Sequence, residues 1–213
     1  MHPYLFELAS LMAVFSFAIV VPGADLAMVI RQSMVAGRRE AILTSFGIGT
    51  ALMFHVSYTI LGLGLIISQS ILVFNIIKWC GVAYLVYIGI QSLRAGRIDL
   101  AKAGEAVGEK KRQSALTAFG LGFMANALNP KPVFFFLSIF STVVAHDTPG
   151  VVKFGYGLVM ASALIVWFVG VSFFLTTPSM RSAFQRASGA INKVSGLVFI
   201  GFGLKLAATA QTR

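Results

Sequence analysis

Two short stretches of this sequence put chemistry in the middle of apolar runs: VVPGADLAMVI, residues 20–30, and ANALNPKPVFFF, residues 125–136. In the first, Pro22 lacks an N–H and Gly23 tolerates a left-handed turn, so the two together can end a helix. Asp25 is then expected to cap a new helical segment running from Leu26 to Ala36. In the second, Asn129 is a strong N-cap and Pro130 falls at the first helical position, where a missing N–H costs little. Each break would expose a helix N-terminus carrying roughly +0.5 of an elementary charge, which suits a carboxylate. Lys131 adds a full positive charge and Asp25 the opposite sign, which an ammonium group could read. Facing readers of opposite sign suit a zwitterion, and an amino acid is one. The plainer reading is that Asp25 and Lys131 neutralise each other or only cap helices. The candidate substrate-binding set is Pro22, Gly23, Asp25, Asn126, Asn129, Pro130 and Lys131.

Asn126 precedes the second break by one turn, where it either lines the site or bonds a carbonyl freed by Pro130. His55 lies midway along an apolar run. It either relays the proton of an antiporter, as Asp25 could, or is a neutral imidazole bonded to a neighbouring helix. Tyr84 and Tyr87 fit core packing beside Gly81 and Gly89, with ligand contact the alternative. Glu7 is expected near the outer membrane interface, with no role. Gly47, Gly49, Gly155 and Gly157 are expected to permit close helix approach. No Cys/His cluster suggests a metal and no phosphate-binding glycine loop suggests an ATP motor, so no cofactor is expected. Energy coupling would then come from an ion gradient.

These groups need elements to hold them, and the composition says where those elements lie. Of 213 residues, 57% are hydrophobic and only 11% charged, against about a quarter charged in soluble domains; mean hydropathy is +0.85. The chain reads as an all-α integral membrane protein with a single membrane domain. Its net charge of +10 gathers in connections between apolar runs, which argues for orientation in a bilayer rather than for nucleic acid. Cys80 is the single cysteine, which excludes an intrachain disulfide. The opening MHPYLFELAS lacks the basic start of a signal peptide, so the first apolar run reads as a retained span.

Apolar runs of spanning length fall at about 4–30, 41–67, 76–93, 115–142, 151–177 and 191–210. Arg31, Arg38 and Arg39 follow the first; Arg94, Arg97, Lys102, Lys110, Lys111 and Arg112 the third; Arg181, Arg186 and Lys193 the fifth. These hold most of the 17 Lys+Arg. The positive-inside rule then puts these three connections in the cytoplasm and both termini in the periplasm. The Gly/Ala-rich connection 94–114 reads as a cytoplasmic linker between the halves 1–93 and 115–213.

The halves repeat each other. FGIG at 46–49 returns as FGYG at 154–157, and the same offset of 108 carries Pro22 onto Pro130 and Phe15 onto Phe123. KWCGVAYLVYIG from Lys78 matches KVSGLVFIGFGL from Lys193. A three-span repeat must invert. The expected architecture is therefore six transmembrane helices in two inverted three-helix repeats, with helices 1 and 4 broken. Inverted repeats with matched breaks recur in secondary transporters, where the breaks form the binding site. An intramembrane enzyme using Asp25, His55 and Lys131, or a small-solute channel, is the alternative.

PGADLAMVIRQSMVAGRREA, GIGTALMFH, KWCGVAYLVYIGIQSLRAG and GFMANALNPKPVFFFLSIF together resemble the lysine exporter/threonine–homoserine exporter (LysE/RhtB) family. That resemblance covers nearly the whole chain, with Ala24 standing where the family typically has a second proline. It implies efflux of amino acids or related small metabolites from the bacterial inner membrane, driven by the proton-motive force. The partners it implies are a small amino-acid-like substrate, protons and the lipid bilayer. The chain is compatible with a homo-oligomer.

Overall fold

A computed structural model describes residues 3–21, 23–69, 71–97, 113–145, 147–174 and 178–209. Among them are eight helices: α1 (Pro3–Val20), α2 (Ala24–Val35), α3 (Arg38–Gln69), α4 (Ile71–Arg94), α5 (Ala115–Ala127), α6 (Pro130–Val143), α7 (Gly150–Phe174) and α8 (Pro178–Thr209). Most of the connection expected at 94–114 lies outside the described residues, as does Pro22.

Among the described residues four helices are long and apolar enough to cross a bilayer: α1, α3 over Arg38–Gly62, α7, and α8 over Ser182–Leu204. The fourth apolar run is two shorter helices, α5 and α6, joined through Leu128 and Asn129. At 13 and 14 residues each covers about 20 Å at 1.5 Å per residue, so it takes both to cross. The first run is also two helices, α1 and α2. Both expected interruptions are therefore present as ends of one helix and starts of the next.

The outer surface is apolar. Phe6, Leu61, Val151 and Val166 are all more than 60% exposed, a distribution that water penalises and hydrocarbon does not. Polar residues turn inward instead: Gln32, Thr44, Ser45, His55, Ser138 and Ser172 are buried.

α3 sits at the centre, against α2, α5, α6 and α7, and α4 lies against α8 and α6. Glycine sets how closely these helices pass. A Cβ on Gly47 would collide with the Phe119 carbonyl of α5, and one on Gly122 with the Thr44 carbonyl of α3. Main chain therefore meets main chain at this crossing. Beside it, Thr44 Oγ1 donates to the Ala118 carbonyl at 3.0 Å. The α3–α7 contact is reciprocal: Gly49 packs on Ile165, and its counterpart Gly157 packs on Val56. Gly89 and Gly196 pass each other in the same way between α4 and α8. Gly155 departs from the expectation. Among the described residues nothing lies within 4 Å of a Cβ built there.

Gly37 turns the chain from α2 into α3 with φ 119°, a left-handed value that glycine adopts without strain. Where α3 begins, the Arg38 guanidinium lies 4.7 Å over the Phe173 ring near the end of α7.

α8 starts at Pro178, well before the span expected at 191–210. PSMRSAFQRASGA is polar and reads in sequence as a connection. Polarity reports contact with water rather than absence of helix, and Ala, Arg and Gln favour helix. Arg186 Nη1 donates to Ser182 Oγ at 3.3 Å, one turn back.

Candidate functional site

The second break forms much as its sequence dictates. Asn129 has extended backbone, its side chain accepts from the Lys131 N–H at 3.0 Å, and Pro130 takes the first helical position of α6. The first break differs from expectation at Asp25. The N-cap of α2 is Gly23, in extended conformation and with no side-chain cap bond. Asp25 stands one residue inside the helix, which begins at Ala24. Its Oδ2 instead accepts from Asn126 Nδ2 at 2.9 Å. Asp25 is thus not a cap; the α5 amide offers its carboxylate a donor that out-competes the local N–H groups. α2 keeps a first turn without side-chain capping, next to a cavity.

That cavity measures about 50 Å³ and is lined from both breaks, by Gly23, Ala24 and Asp25 on one side and Asn126, Asn129 and Lys131 on the other. Five of the seven sequence candidates therefore meet around one space. Pro22 and the side chain of Pro130 lie outside the described residues. The rest of the wall is apolar and was not foreseen: Phe15, Phe135 and Phe136 close one side, Leu164 and Phe168 of α7 another. Phe15 meets Phe135 and Phe136 at centroid distances of 6.1 and 6.2 Å, which joins α1 to α6 across the space.

Lys131 holds a position that the first break creates. In an unbroken helix the Ala18 carbonyl would accept from the N–H of residue 22, and proline has none. Lys131 Nζ donates to that carbonyl at 3.3 Å. The ammonium also faces the negative end of the α1 dipole, a favourable arrangement. Among the described residues the one ion pair is Arg39–Glu40 at 4.0 Å. Asp25 and Lys131 line the same cavity without pairing, so mutual neutralisation by direct contact does not occur. Two acceptors here, Asp25 Oδ1 and Asn126 Oδ1, are buried with no hydrogen-bond partner. An orphaned buried acceptor costs about 1–3 kcal/mol, and an arriving donor recovers it.

His55 does not line the cavity but stands one bond behind it. Its Nε2 is 3.1 Å from the Asn126 carbonyl and its Nδ1 is 2.7 Å from Tyr58 Oη. A carbonyl only accepts, so Nε2 carries a proton, and in the neutral ring Nδ1 accepts from the Tyr58 hydroxyl. The ring stacks on Phe136 at 6.3 Å. Asn126 is the junction, with its side chain on Asp25 and its carbonyl on His55. Tyr84 packs on Phe134 at 5.0 Å, away from the cavity lining.

A helical protein with lipid-facing apolar surfaces, enclosing a small charged cavity between two broken helices, is an integral membrane protein of the transporter type. The chain belongs to the LysE family, the LysE-type translocators, whose model matches residues 16–210. It is similar to the threonine efflux protein of Salmonella typhi, 30% identical over 89% of this chain and 91% of that one. The homoserine/homoserine lactone efflux protein of Salmonella typhimurium is 29% identical over 88% and 89%. The membrane protein YrhP of Bacillus subtilis is 26% identical over 88% and 91%. No solved structure matches the chain. A family of translocators sets aside the intramembrane enzyme.

Proposed function

We propose that this protein is a secondary active exporter of amino acids or closely related small zwitterions, working by proton antiport in a bacterial inner membrane. The observation that carries the reading is the unpaired opposition of Asp25 and Lys131 across one cavity, with orphaned acceptors on Asp25 and Asn126. A substrate ammonium supplies the donors that Asp25 Oδ1 and Asn126 Oδ1 lack. Its carboxylate fits the uncapped first turn of α2 and the Lys131 ammonium. The efflux proteins to which the chain is similar are named for threonine and for homoserine or its lactone, and the two amino acids carry those two groups.

The architecture in this reading is six spans in two inverted repeats, 1–93 and 115–213, joined by a cytoplasmic connection, with both termini periplasmic. The reciprocal Gly49–Ile165 and Gly157–Val56 contacts support it, since the two glycines, 108 apart, each meet a β-branched side chain of the other helix. A cavity of about 50 Å³ holds a few waters and must widen to admit an amino acid. That suits an occluded state of an alternating-access cycle better than an open channel.

Inverted membrane vesicles test the function directly. Radiolabelled threonine and homoserine should accumulate in vesicles containing the protein, faster when the lumen is acid. Uptake equal to that of vesicles without the protein overturns the exporter; uptake indifferent to the gradient overturns antiport.

A further inference from the structure

Glu7, expected at the membrane interface without a role, is instead buried in a hydrogen-bonded cluster. It lies ahead of the residues that the family model matches. Oε1 accepts from the Ala145 N–H at 2.9 Å and from Thr148 Oγ1 at 3.0 Å. Oε2 is 3.1 Å from Thr148 Oγ1 and 2.9 Å from Tyr156 Oη. Tyr156 Oη is also 3.1 Å from the Tyr4 carbonyl. The cluster joins α1 to the connection after α6 and to α7. Among the described residues, the other titratable and charged groups on these elements are Tyr4 on its own helix, Asp147 on the connection, and Lys153 and Tyr156 on α7; His146 of the connection lies outside the described residues. On the other helices against α1, Lys131 starts α6 at the end away from this connection, Arg186 and Lys193 of α8 are exposed, and the side chains of Arg181 and Lys205 lie outside the described residues. Among the described residues no ion pair is formed by Glu7.

Counting protons shows that the cluster can hold one more. The Tyr156 hydroxyl has one hydrogen but stands at bonding distance from two acceptors, Glu7 Oε2 and the Tyr4 carbonyl. With Glu7 ionised, one of those two oxygen–oxygen contacts has no proton in it. A proton on Oε2 completes the chain: Oε2–H donates to Tyr156 Oη, whose own O–H donates to Tyr4. Oε1 meanwhile stays an acceptor for the Ala145 N–H and Thr148. The ionised form is supported too, by three donors. Both forms fit one set of atoms.

We propose that Glu7 is a proton-binding site of the transport cycle, separate from the substrate cavity and on its outer side. The inference rests on the antiport reading for its role, while proton binding itself is independent of any substrate. Eight residues of helix, about 12 Å, separate Glu7 from Phe15 in the cavity wall. Hydrogen bonds to a charged acceptor are roughly twice as strong as neutral ones. A proton arriving from outside therefore weakens the hold of Ala145 and Thr148 on α1, the helix that also carries Ala18 and Ile19 into the cavity lining.

Glu7→Gln is the decisive variant. Its Oε1 accepts from Ala145 and Thr148 and its amide donates to Tyr156, so it copies the protonated form and folds. In the lipid-reconstituted protein, infrared difference spectra between acid and alkaline buffer read protonated carboxyls through their C=O stretch. The wild type and Asp25→Asn should both show a buried-carboxyl band that Glu7→Gln loses. A Glu7→Gln spectrum identical to the wild type overturns the proposal. Tyr156→Phe keeps the carboxyl and removes its proton acceptor, so the pH midpoint of the band should move; an unmoved midpoint also overturns it. In inverted vesicles Glu7→Gln should lose the acceleration by an acid lumen that the wild type shows. A gradient-insensitive wild type counts against antiport, whereas a Glu7→Gln response equal to the wild type's counts against Glu7.

Discussion

Asn126 binds Asp25 by a 2.9 Å hydrogen bond between residues 101 apart in sequence, and so ties the end of α5 to the start of α2. Asn126→Leu keeps the volume and removes the donor. The Asp25 carboxylate then has neither of its oxygens bonded, at a cost of about 1–3 kcal/mol. Thermal unfolding in detergent should show a lowered midpoint, and export should fall. Wild-type stability in Asn126→Leu would mean that the bond holds nothing.

Asp25→Asn separates charge from shape. Because Asp25 is not the cap of α2, the substitution leaves that helix start untouched, and the protein should be made at normal levels. A hydrogen bond to a charged group is worth about 1.5–3 kcal/mol, so affinity for an ammonium should drop about ten- to a hundredfold. Substrate binding to the purified variant reads this directly, and unchanged affinity would remove the charge from recognition.

Lys131→Met retains the apolar stem and deletes the ammonium. Insertion depends on overall hydrophobicity and should be normal, while vesicle uptake should fall strongly. Ala18 loses its donor in this variant, so a small drop in thermal stability should accompany the loss. A well-inserted variant with full transport would place the substrate carboxylate elsewhere.

Gly122→Ala and Gly120→Ala form a matched pair. A Cβ at Gly122 meets the Thr44 backbone, whereas nothing lies within 4 Å of one at Gly120. Overpacking costs about 1–3 kcal/mol, and backbone cannot step aside as a side chain can. Gly122→Ala should unfold at a lower temperature, with Gly120→Ala like the wild type or slightly above it. Equal midpoints would mean that the helices are not in contact there.

Reporter fusions check the orientation. A fusion within the connection at 94–114 should report cytoplasm and one at Arg213 periplasm. A cytoplasmic C-terminus would overturn the inverted repeat.

The second break was legible because Asn129 and Pro130 act on their own neighbours, and cap chemistry is local. Asp25 was misread as a cap for the complementary reason. Its partner arrives from residue 126, and no local rule ranks a distant amide against a nearby N–H. Glu7 was passed over on the same ground, with its donors at 145, 148 and 156 brought to it only by packing. The apolar wall of the cavity is invisible in sequence because Phe135 or Leu164 looks the same in a core as in a site. The early start of α8 was missed by equating polarity with loop.

The glycine crossing of α3 and α5 has a mechanical meaning. Side chains that interdigitate can exchange rotamers and slide, but two main chains in contact at Gly47 and Gly122 have nothing to rearrange. The two helices behave as one beam, with His55 and Asn126 riding on it side by side. Lys131 hangs beyond the second break and Asp25 beyond the first. The opposed charges thus sit differently: Asn126 on this stiff member holds Asp25 directly, whereas Lys131 is anchored on the Ala18 carbonyl of α1.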